Sequence, residues 1–363
     1  AQLAGRANPE MFEFVFVCYR RELRGVGDYI ESAGHRIVSA VELYGSGFTF
    51  QSWIKEGLRW MLKAAAPDIV LFTSQYLYRQ VLASGPLEYR TVVRISNWDG
   101  AETAAIDFSG VDRIIACSEE QFRSLAASQP GRTVFVRTGV DADRFRPATL
   151  SERVAARKTL GLPESGGVIL YCGRLGDPLK RLDRFQEIVR RVARQRPGVA
   201  FLVAGYFESH RNSGEAEFQR FCEENRIVWH ANLRPWEMVA CYQAADVLVS
   251  VSDSGEGLSN TVLQALSSGV VPVVTRASGM TELVQDGRSG FVFSDDQPGA
   301  MVATLLRALD LPARELARLR RNGIRIVRGS FDLRDCVDDY ERVLYGVYRD
   351  SPARVPVTDA APS

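Results

Sequence analysis

The sequence predicts an α/β protein built from two doubly wound domains. Short apolar segments of strand length alternate with amphipathic segments of helix length along almost the whole chain. This alternation is typical of mainly parallel sheets whose strands are joined by right-handed helical crossovers. The chain has 363 residues, which is more than one compact domain usually holds, so we expect two domains.

The first series of strands and helices occupies residues 1–147 and predicts the N-terminal domain. Helices are expected at SWIKEGLRWMLKAA (52–65) and EEQFRSLAAS (119–128), where apolar residues recur with helical spacing. The apolar runs that predict strands lie at 12–18, 35–41, 68–74, 89–96, 111–118 and 132–138.

The second series occupies residues 148–330 and predicts the C-terminal domain. Its strands are expected at 167–173, 199–205, 226–232, 246–252 and 270–275. Residues 331–350 then predict a long helix with one buried face, and the Pro- and Ala-rich tail 351–363 is expected to be disordered. The apolar positions of that face are Val337, Tyr340, Val343, Leu344 and Val347.

Composition narrows the class of protein. The formal net charge of +1 argues against a nucleic-acid-binding protein, which normally carries a large basic excess. The six cysteines are scattered without a C-x-x-C pair, which indicates reduced thiols and not a disulfide framework or a zinc site. No apolar stretch reaches the roughly 18 residues that a membrane-spanning helix needs, and the first residues lack the apolar core of a signal peptide. We therefore expect a cytoplasmic protein, for which peripheral membrane contact remains open.

A loop with two cations follows the first strand of the second domain. In open parallel sheets, ligands bind at the carboxyl ends of strands, where helix N-termini direct backbone N–H groups outward. The loop CGRLGDPLKR (172–181) begins at such an end, and Gly173 lets its backbone turn tightly. Arg174 and Lys180 would hold a diphosphate through charge-assisted hydrogen bonds. Taken alone, the same two side chains fit exposed surface cations at least as well.

A second loop, DSGEGLSN (253–260), joins a later strand to the next helix. Its last residues would present successive backbone N–H groups at the helix N-terminus, an arrangement that binds anions. Glu256 lies beside this positive region, which favours its ionised form and lets it accept bonds from sugar hydroxyls. A lone acid in a loop also serves as a helix N-cap. With both loops in one domain, a bound nucleoside diphosphate group is the better interpretation. The residues of the anion-binding segment are Gly257, Leu258, Ser259 and Asn260.

Two stretches of the second domain resemble a known family. GRLGDPLKRLDRF (173–185) and EGLSNTVLQALSSGVVPVVTRASGMTELVQDGRSGFVF (256–293) closely resemble the nucleotide-sugar domain of the retaining family-four glycosyltransferases, which have the GT-B fold. The resemblance is specific over about residues 150–330 and weaker but continuous before them. It implies two Rossmann-like domains that face each other across a cleft, with the helix at 331–350 returning to the N-terminal domain.

The resemblance implies a role for each residue of the two loops. Arg174 and Lys180 would bind the donor diphosphate beside Gly173, and Glu256 would face the donor sugar. The backbone groups that would hold the distal phosphate belong to Gly257, Leu258, Ser259 and Asn260.

The resemblance also places the nucleoside. Gln264 stands where the family usually has a second glutamate, which holds the ribose hydroxyls. The nucleobase would lie against the backbone around His230, Ala231 and Leu233. Glu282 falls at a family acidic position, for which a ligand role and a place at the N-terminus of a helix are equally good interpretations.

The sequence departs from the family pattern at several places, and two of them concern the residues proposed for the site. Many members have a histidine at the end of the fourth N-terminal strand, but RISNWDG (94–100) has none. Asn97, Trp98 and Asp99 are the local candidates for contact with the acceptor. Asp99 would act as a base or orient the acceptor, or it would cap the following helix. The second departure is Gln264, whose amide oxygen still accepts a hydroxyl hydrogen bond, so we expect a looser nucleotide site and not a lost one.

The implied reaction moves a sugar from a nucleoside-diphosphate sugar, with UDP favoured, to an acceptor hydroxyl with retention of the anomeric configuration. The leaving diphosphate itself would take the acceptor proton. The catalytic residues would be Glu256, Arg174, Lys180 and Asp99. No cofactor and no metal ion is expected, because the two cations and the helix N-terminus would stabilise the leaving group instead.

The acceptor is not readable from the sequence. A saccharide, a lipid-linked molecule and a small aglycone all fit, because the N-terminal loops at 19–27, 45–52, 74–80 and 96–103 would select it. The oligomeric state is not predicted either. Two alternatives to a transferase remain: another GT-B nucleotide-sugar enzyme of the epimerase type, and a nucleotide-sugar-binding subunit with a degenerate site. An NAD-dependent enzyme is disfavoured, because no G-x-G-x-x-G follows the first strand.

Overall fold

The protein is described from a computed structural model. None of its six cysteines forms a disulfide, and five of them are buried, as the sequence predicts. Among the residues that the structure describes, no helix is long and apolar enough to cross a membrane. The described residues are 4–18, 30–31, 34–44, 49–96, 100–207, 214–231, 233–253, 257–277, 279–293 and 297–350.

The strands of the N-terminal domain are all parallel where they pair. Val15–Cys18 (β1) pairs with Arg36–Ser39 (β2), and a separate sheet has four strands that pair in chain order. All of these strands lie inside the apolar runs that predicted them. The four strands of the second sheet are Ile69–Phe72 (β3), Arg90–Arg94 (β4), Arg113–Ala116 (β5) and Thr133–Phe135 (β6).

Two N-terminal segments differ from expectation. The strand expected at 35–41 ends at Ser39, because a short helix starts at the next residue. The helix expected at 52–65 contains a π-helical turn, Trp53–Gly57, which keeps both Trp53 and Ile54 in the core. The α-helices of this domain are Ala40–Tyr44 (α1), Phe50–Ser52 (α2), Leu58–Ala65 (α3), Gln75–Leu82 (α4), Gly100–Ala104 (α5) and Glu119–Ser128 (α6).

The C-terminal domain has one six-stranded parallel sheet. Val168–Arg174 (β7) lies inside it, and its residues alternate between two apolar layers: Leu170 belongs to one cluster and Ile169 to the other. This is why the strand reads as a continuous apolar run, since both of its faces are covered. The other strands are Ala200–Tyr206 (β8), Val228–His230 (β9), Val247–Ser250 (β10), Val271–Val274 (β11) and Phe291–Val292 (β12).

Helices cover both faces of this sheet. Pro178–Lys180 forms one turn of 3₁₀ helix directly before the second α-helix of the domain. The α-helices are Leu150–Thr159 (α7), Leu182–Gln195 (α8), Glu215–Glu224 (α9), Met238–Ala244 (α10), Asn260–Ser267 (α11), Met280–Leu283 (α12), Pro298–Leu309 (α13) and Ala313–Ser330 (α14).

The strand order locates a binding crevice. The sheet runs β12-β11-β10-β7-β8-β9, so the chain proceeds in opposite directions from the neighbouring strands β7 and β10. In open α/β sheets, ligands bind outside the carboxyl ends of the strands at this switch point. The loop at 172–181 follows β7 and the loop at 253–260 follows β10, so the two loops of interest flank this point.

The chain passes between the domains twice, and the two passages lie side by side. The Val140 N–H donates to the Phe331 carbonyl (2.9 Å), and the Leu333 N–H donates to the Val140 carbonyl (3.0 Å). Gly139 must lack a side chain, because a Cβ there would lie 2.7 Å from the Cα of Leu333.

The last helix, Leu333–Arg349 (α15), packs on the N-terminal domain. Its buried Tyr340, Leu344 and Val347 belong to one apolar cluster with Val92 and Ile115 of β4 and β5. Burying each such side chain contributes about 1.5–3 kcal/mol, so this contact holds the helix firmly. The domain limits at residues 147 and 330 stay a prediction.

Candidate functional site

Glycine shapes the loop after β7. Gly173 has φ +148°, and a Cβ there would lie 3.5 Å from the Cδ and Cε of Lys180, so the lysine stem packs across this residue. Gly205 of the neighbouring strand is also required, because a Cβ there would lie 2.3 Å from the Gly173 carbonyl oxygen. The loop therefore turns back over the strand end and brings Lys180 close to it.

Arg174 is held by an acid that the sequence analysis did not single out. Asp177 is 7% exposed, its Oδ1 accepts from the Leu179 N–H (3.1 Å), and its Oδ2 pairs with Arg174 Nη2 (2.5 Å). Asp177 is also the N-cap of the turn that starts with Pro178, a common sequence pattern for a helix start. The sequence Asp177–Pro178 could therefore have identified Asp177 as an N-cap residue beside Arg174. It orients a guanidinium that is 42% exposed and so open to a ligand.

The two loops are joined directly. The Asp253 N–H donates to the Leu179 carbonyl (2.9 Å), and the Asp253 carboxylate pairs with Arg181 (3.1 Å) and Arg184 (3.4 Å). The segment that carries Lys180 thus lies beside the start of the loop that leads to α11. These contacts join residues that are about 70 positions apart in the chain, so no local pattern could have predicted them.

Residues 257–260 form the start of α11. Ser259 is the N-cap of α11 and Asn260 is its first helical residue. The Ser259 hydroxyl bonds to the Thr261 hydroxyl (2.9 Å) and not to the helix backbone. Within the described part of the chain, no side chain caps the first N–H groups of α11, so they are open to an anion. Gly257 and Ser259 are buried, Leu258 is half-buried and Asn260 is exposed.

A second glycine supports this segment from behind. Gly279 has φ +74°, and a Cβ there would lie 2.7 Å from both the carbonyl carbon and the oxygen of Gly257, and 3.0 Å from the Leu258 nitrogen. The turn before α12 thus packs against the peptide that begins the 257–260 segment.

Gln264 lies on the same helix and has a buried partner. The Tyr242 hydroxyl donates to Gln264 Oε1 (2.8 Å), and burial raises the pKa of Tyr242 well above its usual range, so it remains a donor. One lone pair of the amide oxygen expected at the ribose is therefore occupied by the protein. The second lone pair of Oε1 and the Nε2 donor remain for a ligand.

The segment expected at the nucleobase lies at the end of β9. The His230 ring forms a hydrogen bond through Nε2 to the Leu160 carbonyl (3.1 Å), so its side chain is engaged and its backbone is what a base would meet. Ala231 is exposed and Leu233 is half-buried. A backbone role of this segment toward a nucleobase stays a prediction.

Glu282 contacts the other domain. Its two carboxylate oxygens accept from the Glu119 N–H (3.0 and 3.1 Å), and Oε1 also accepts from the Glu120 N–H (3.4 Å). These are the first N–H groups of α6, where a negative charge is favoured. Of the two interpretations left open by the sequence, the structure thus supports an acid at a helix N-terminus, although the helix belongs to the N-terminal domain.

Several predicted site residues lie outside the described residues. These are the expected sugar-facing acid Glu256 and the acceptor-side candidates Asn97, Trp98 and Asp99. Within the described part of the chain, no group of three or more His, Cys, Asp or Glu side chains is placed to hold a metal ion. Independence from a metal ion stays a prediction.

A family model matches the part of the chain that carries both loops. Residues 166–310 match the family described as Glycosyl transferases group 1, which confirms the resemblance inferred from the sequence. D-inositol 3-phosphate glycosyltransferase 2 from Catenulispora acidiphila is 31% identical over 232 residues, which are 59% of this chain and 51% of that protein. D-inositol 3-phosphate glycosyltransferase from Mycobacterium bovis is 32% identical over 195 residues, 52% of this chain and 39% of that protein. The chain thus spans about half the length of these relatives or less.

Solved structures match over nearly the full chain. HepE from Anabaena, solved in complex with UDP-glucose, superimposes with a TM-score of 0.76 at 15% identity and covers 95% of both chains. A glycosyltransferase from Rickettsia africae has a TM-score of 0.74 at 12% identity and covers 96% of this chain and 94% of its own. At these identities the likeness shows the fold alone, and it confirms the fold predicted from the sequence.

Proposed function

We propose that the protein transfers a sugar from a nucleoside-diphosphate sugar to an acceptor hydroxyl, because residues 166–310 match the Glycosyl transferases group 1 family and the chain has a GT-B fold. The observation that carries the proposal is the direct link between the two loops at the switch point of the C-terminal sheet. It joins the segment that carries Lys180 to the start of the loop that leads to α11, and two cations and a helix N-terminus on neighbouring loops would suit a diphosphate.

The positive groups would act on the leaving diphosphate. Cleavage of the bond between sugar and phosphate builds negative charge on the distal phosphate, and preorganised donors stabilise that charge most when they are fixed in advance. Arg174 is oriented by Asp177, Lys180 by its packing on Gly173, and the N–H groups of the 257–260 segment by the helix. With this charge in place, the proposed reaction needs no metal ion.

We propose retention of the anomeric configuration, with the acceptor attacking on the face from which the diphosphate leaves. The leaving phosphate oxygen then takes the acceptor proton, so the bond from sugar to phosphate breaks as the bond to the acceptor forms. Glu256 would position the sugar hydroxyls, and Asp99 would orient the acceptor. The family resemblance supports retention and the role of Glu256, whereas Asp99 is proposed from its place in the sequence after the fourth N-terminal strand.

UDP is the proposed nucleotide. The likeness to HepE, whose structure contains UDP-glucose, supports this choice, and the D-inositol 3-phosphate glycosyltransferases suggest a polar acceptor with several hydroxyls. The aromatic residues proposed near the acceptor differ in their exposure to solvent. Trp53 and Tyr78 are buried in the core, whereas Phe50 is 40% exposed and accessible to an acceptor.

Thermal-shift screening tests the proposal. The panel contains UDP, GDP and ADP, their glucose or mannose conjugates, and the corresponding monophosphates, which lack the distal phosphate. We expect a diphosphate and its sugar conjugate to raise the melting temperature and the monophosphate to raise it much less. No shift with any diphosphate would refute the transferase and also the nucleotide-sugar-binding subunit. Binding without turnover on any acceptor would favour the subunit.

A further inference from the structure

Gln121 of the N-terminal domain has an amide whose orientation is fixed by the backbone. It is the third residue of α6 and forms a capping box with Ser118. Its Oε1 accepts from the Cys117 N–H (2.8 Å) and the Ser118 N–H (3.2 Å). Since Oε1 serves two donors, the amide cannot be reversed, and Nε2 must point away from the capping box.

The nitrogen of this amide is buried without an acceptor. Gln121 is 0% exposed, and its Nε2 has no hydrogen-bond partner among the residues that the structure describes. Buried donors in native proteins nearly always have a partner, because an unmatched one loses its hydration without compensation. An acceptor that arrives with a ligand is one physical solution to this loss.

Gln121 Nε2 lies at the start of the 257–260 segment. A Cβ placed on Gly257 would lie 3.3 Å from Gln121 Nε2 and 3.0 Å from the Ser96 carbonyl oxygen. The donor thus lies against the first residue of the 257–260 segment, on the side that faces the N-terminal domain. Glu282 binds the first N–H groups of the same helix, so two contacts fix the start of α6 at this point of the C-terminal domain.

We propose that Gln121 is a donor-binding residue, and that its Nε2 donates a hydrogen bond to an oxygen of the sugar in the nucleotide sugar. Gly257 is the neighbour of position 256, which is the position proposed to face that sugar, and it begins the segment proposed to hold the distal phosphate. This inference rests on the proposed function. It adds a sugar contact from the N-terminal domain, in a chain that has no histidine at the end of β4.

A sugar oxygen that reaches Gln121 Nε2 would supply the acceptor that the described residues do not provide. Because Gln121 belongs to α6 and Gly257 to the other domain, this hydrogen bond would link sugar binding to the contact between the two domains.

The test separates this hydrogen bond from the cap of the helix. Gln121→Met removes the amide and preserves the length of the side chain, whereas the control Ser118→Ala breaks the same capping box and keeps the Gln121 amide. The nucleotide sugar used is the one among UDP-glucose, UDP-N-acetylglucosamine and GDP-mannose that stabilises the wild-type protein most. Calorimetry measures the affinity for UDP, for this nucleotide sugar and, as the reference, for the free diphosphate of that sugar. Melting temperatures are recorded for both variants.

We expect both variants to melt at a lower temperature, because both lose part of the cap. Only Gln121→Met is expected to bind the nucleotide sugar more weakly, by about tenfold, with unchanged affinity for the free diphosphate. An unchanged sugar affinity in Gln121→Met, or an equal loss in Ser118→Ala, would overturn the proposal. If Gln121→Met does not fold, Gln121→Glu keeps the acceptor for the two N–H groups, removes the donor, and should show the same split. A wild-type protein that binds no diphosphate would instead refute the proposed function.

Discussion

Gly279→Ala is expected to displace the 257–260 segment, because the new methyl group would collide with the Gly257 peptide. The new Cβ would lie 2.7 Å from the carbonyl carbon and oxygen of Gly257. Non-bonded carbon atoms prefer separations of about 3.5 Å, so the Gly257 peptide must move by roughly 0.8 Å. A shift of that size at a preorganised site can cost up to about 100-fold in function, and we expect the affinity for UDP to fall at least about tenfold.

The backbone strain of this change has a matched control in the same domain. Gly279 has φ +74° and Gly287 has φ +66°, but a Cβ on Gly287 would meet nothing within 4 Å. Both substitutions put alanine in the left-handed region at a cost of about 1–2 kcal/mol, which lowers the melting temperature by a few degrees. Calorimetric titration with UDP should therefore show a loss for Gly279→Ala and wild-type affinity for Gly287→Ala. Equal affinity in the two variants would refute the view that the turn at Gly279 supports a phosphate site.

Two further predictions concern charge. Gln264→Glu should tighten UDP binding by about tenfold. One carboxylate oxygen still accepts from the Tyr242 hydroxyl, and the other offers a charged acceptor to the ribose hydroxyls. An unchanged dissociation constant for UDP would exclude Gln264 from the ribose site. Glu152 has its pKa lowered from 4.5 to about 2, first by the hydrogen bond from Arg146 and then by those from Thr149, so its stabilising contribution is complete above pH 4.5 and is lost as the pH falls towards 2. Above pH 4.5, Glu152→Gln should therefore melt at a lower temperature than the wild type. The two melting temperatures should converge as the pH falls towards 2. A difference in melting temperature that does not change with pH would contradict the stabilising role of the ionised Glu152.

The sequence predicted the parts of the fold that follow from local pattern. Strand β7 was recognisable because burial on both faces requires an uninterrupted apolar run, and α15 because Tyr340, Leu344 and Val347 share one face. The boundary of β2 was wrong, since Ala40 and Val41 continue the apolar run although the chain there turns into a helix. Apolar character alone does not distinguish a strand end from a buried helix start.

The sequence predicted which residues form the candidate site, but it did not predict the contacts between them. Arg174, Lys180 and the 257–260 segment were identified because loops after parallel strands and helix N-termini have predictable chemistry. The bond from Asp253 to Leu179 and the Tyr242–Gln264 pair were not predictable, because each depends on how distant segments pack. Gln121 was missed for the same reason: its sequence context indicates a helix cap, and only the packing of Gly257 against it reveals the second function.

The central claim is that the linked loops after β7 and β10 hold a nucleoside diphosphate. Calorimetric titration with UDP of Lys180→Ala tests it most directly, with the exposed Lys158→Ala as the control that removes the same charge from the same domain. Loss of a charge-assisted hydrogen bond should raise the dissociation constant of Lys180→Ala by about 10- to 100-fold and leave that of Lys158→Ala unchanged. A Lys180→Ala variant that binds UDP as tightly as the wild type would contradict the claim.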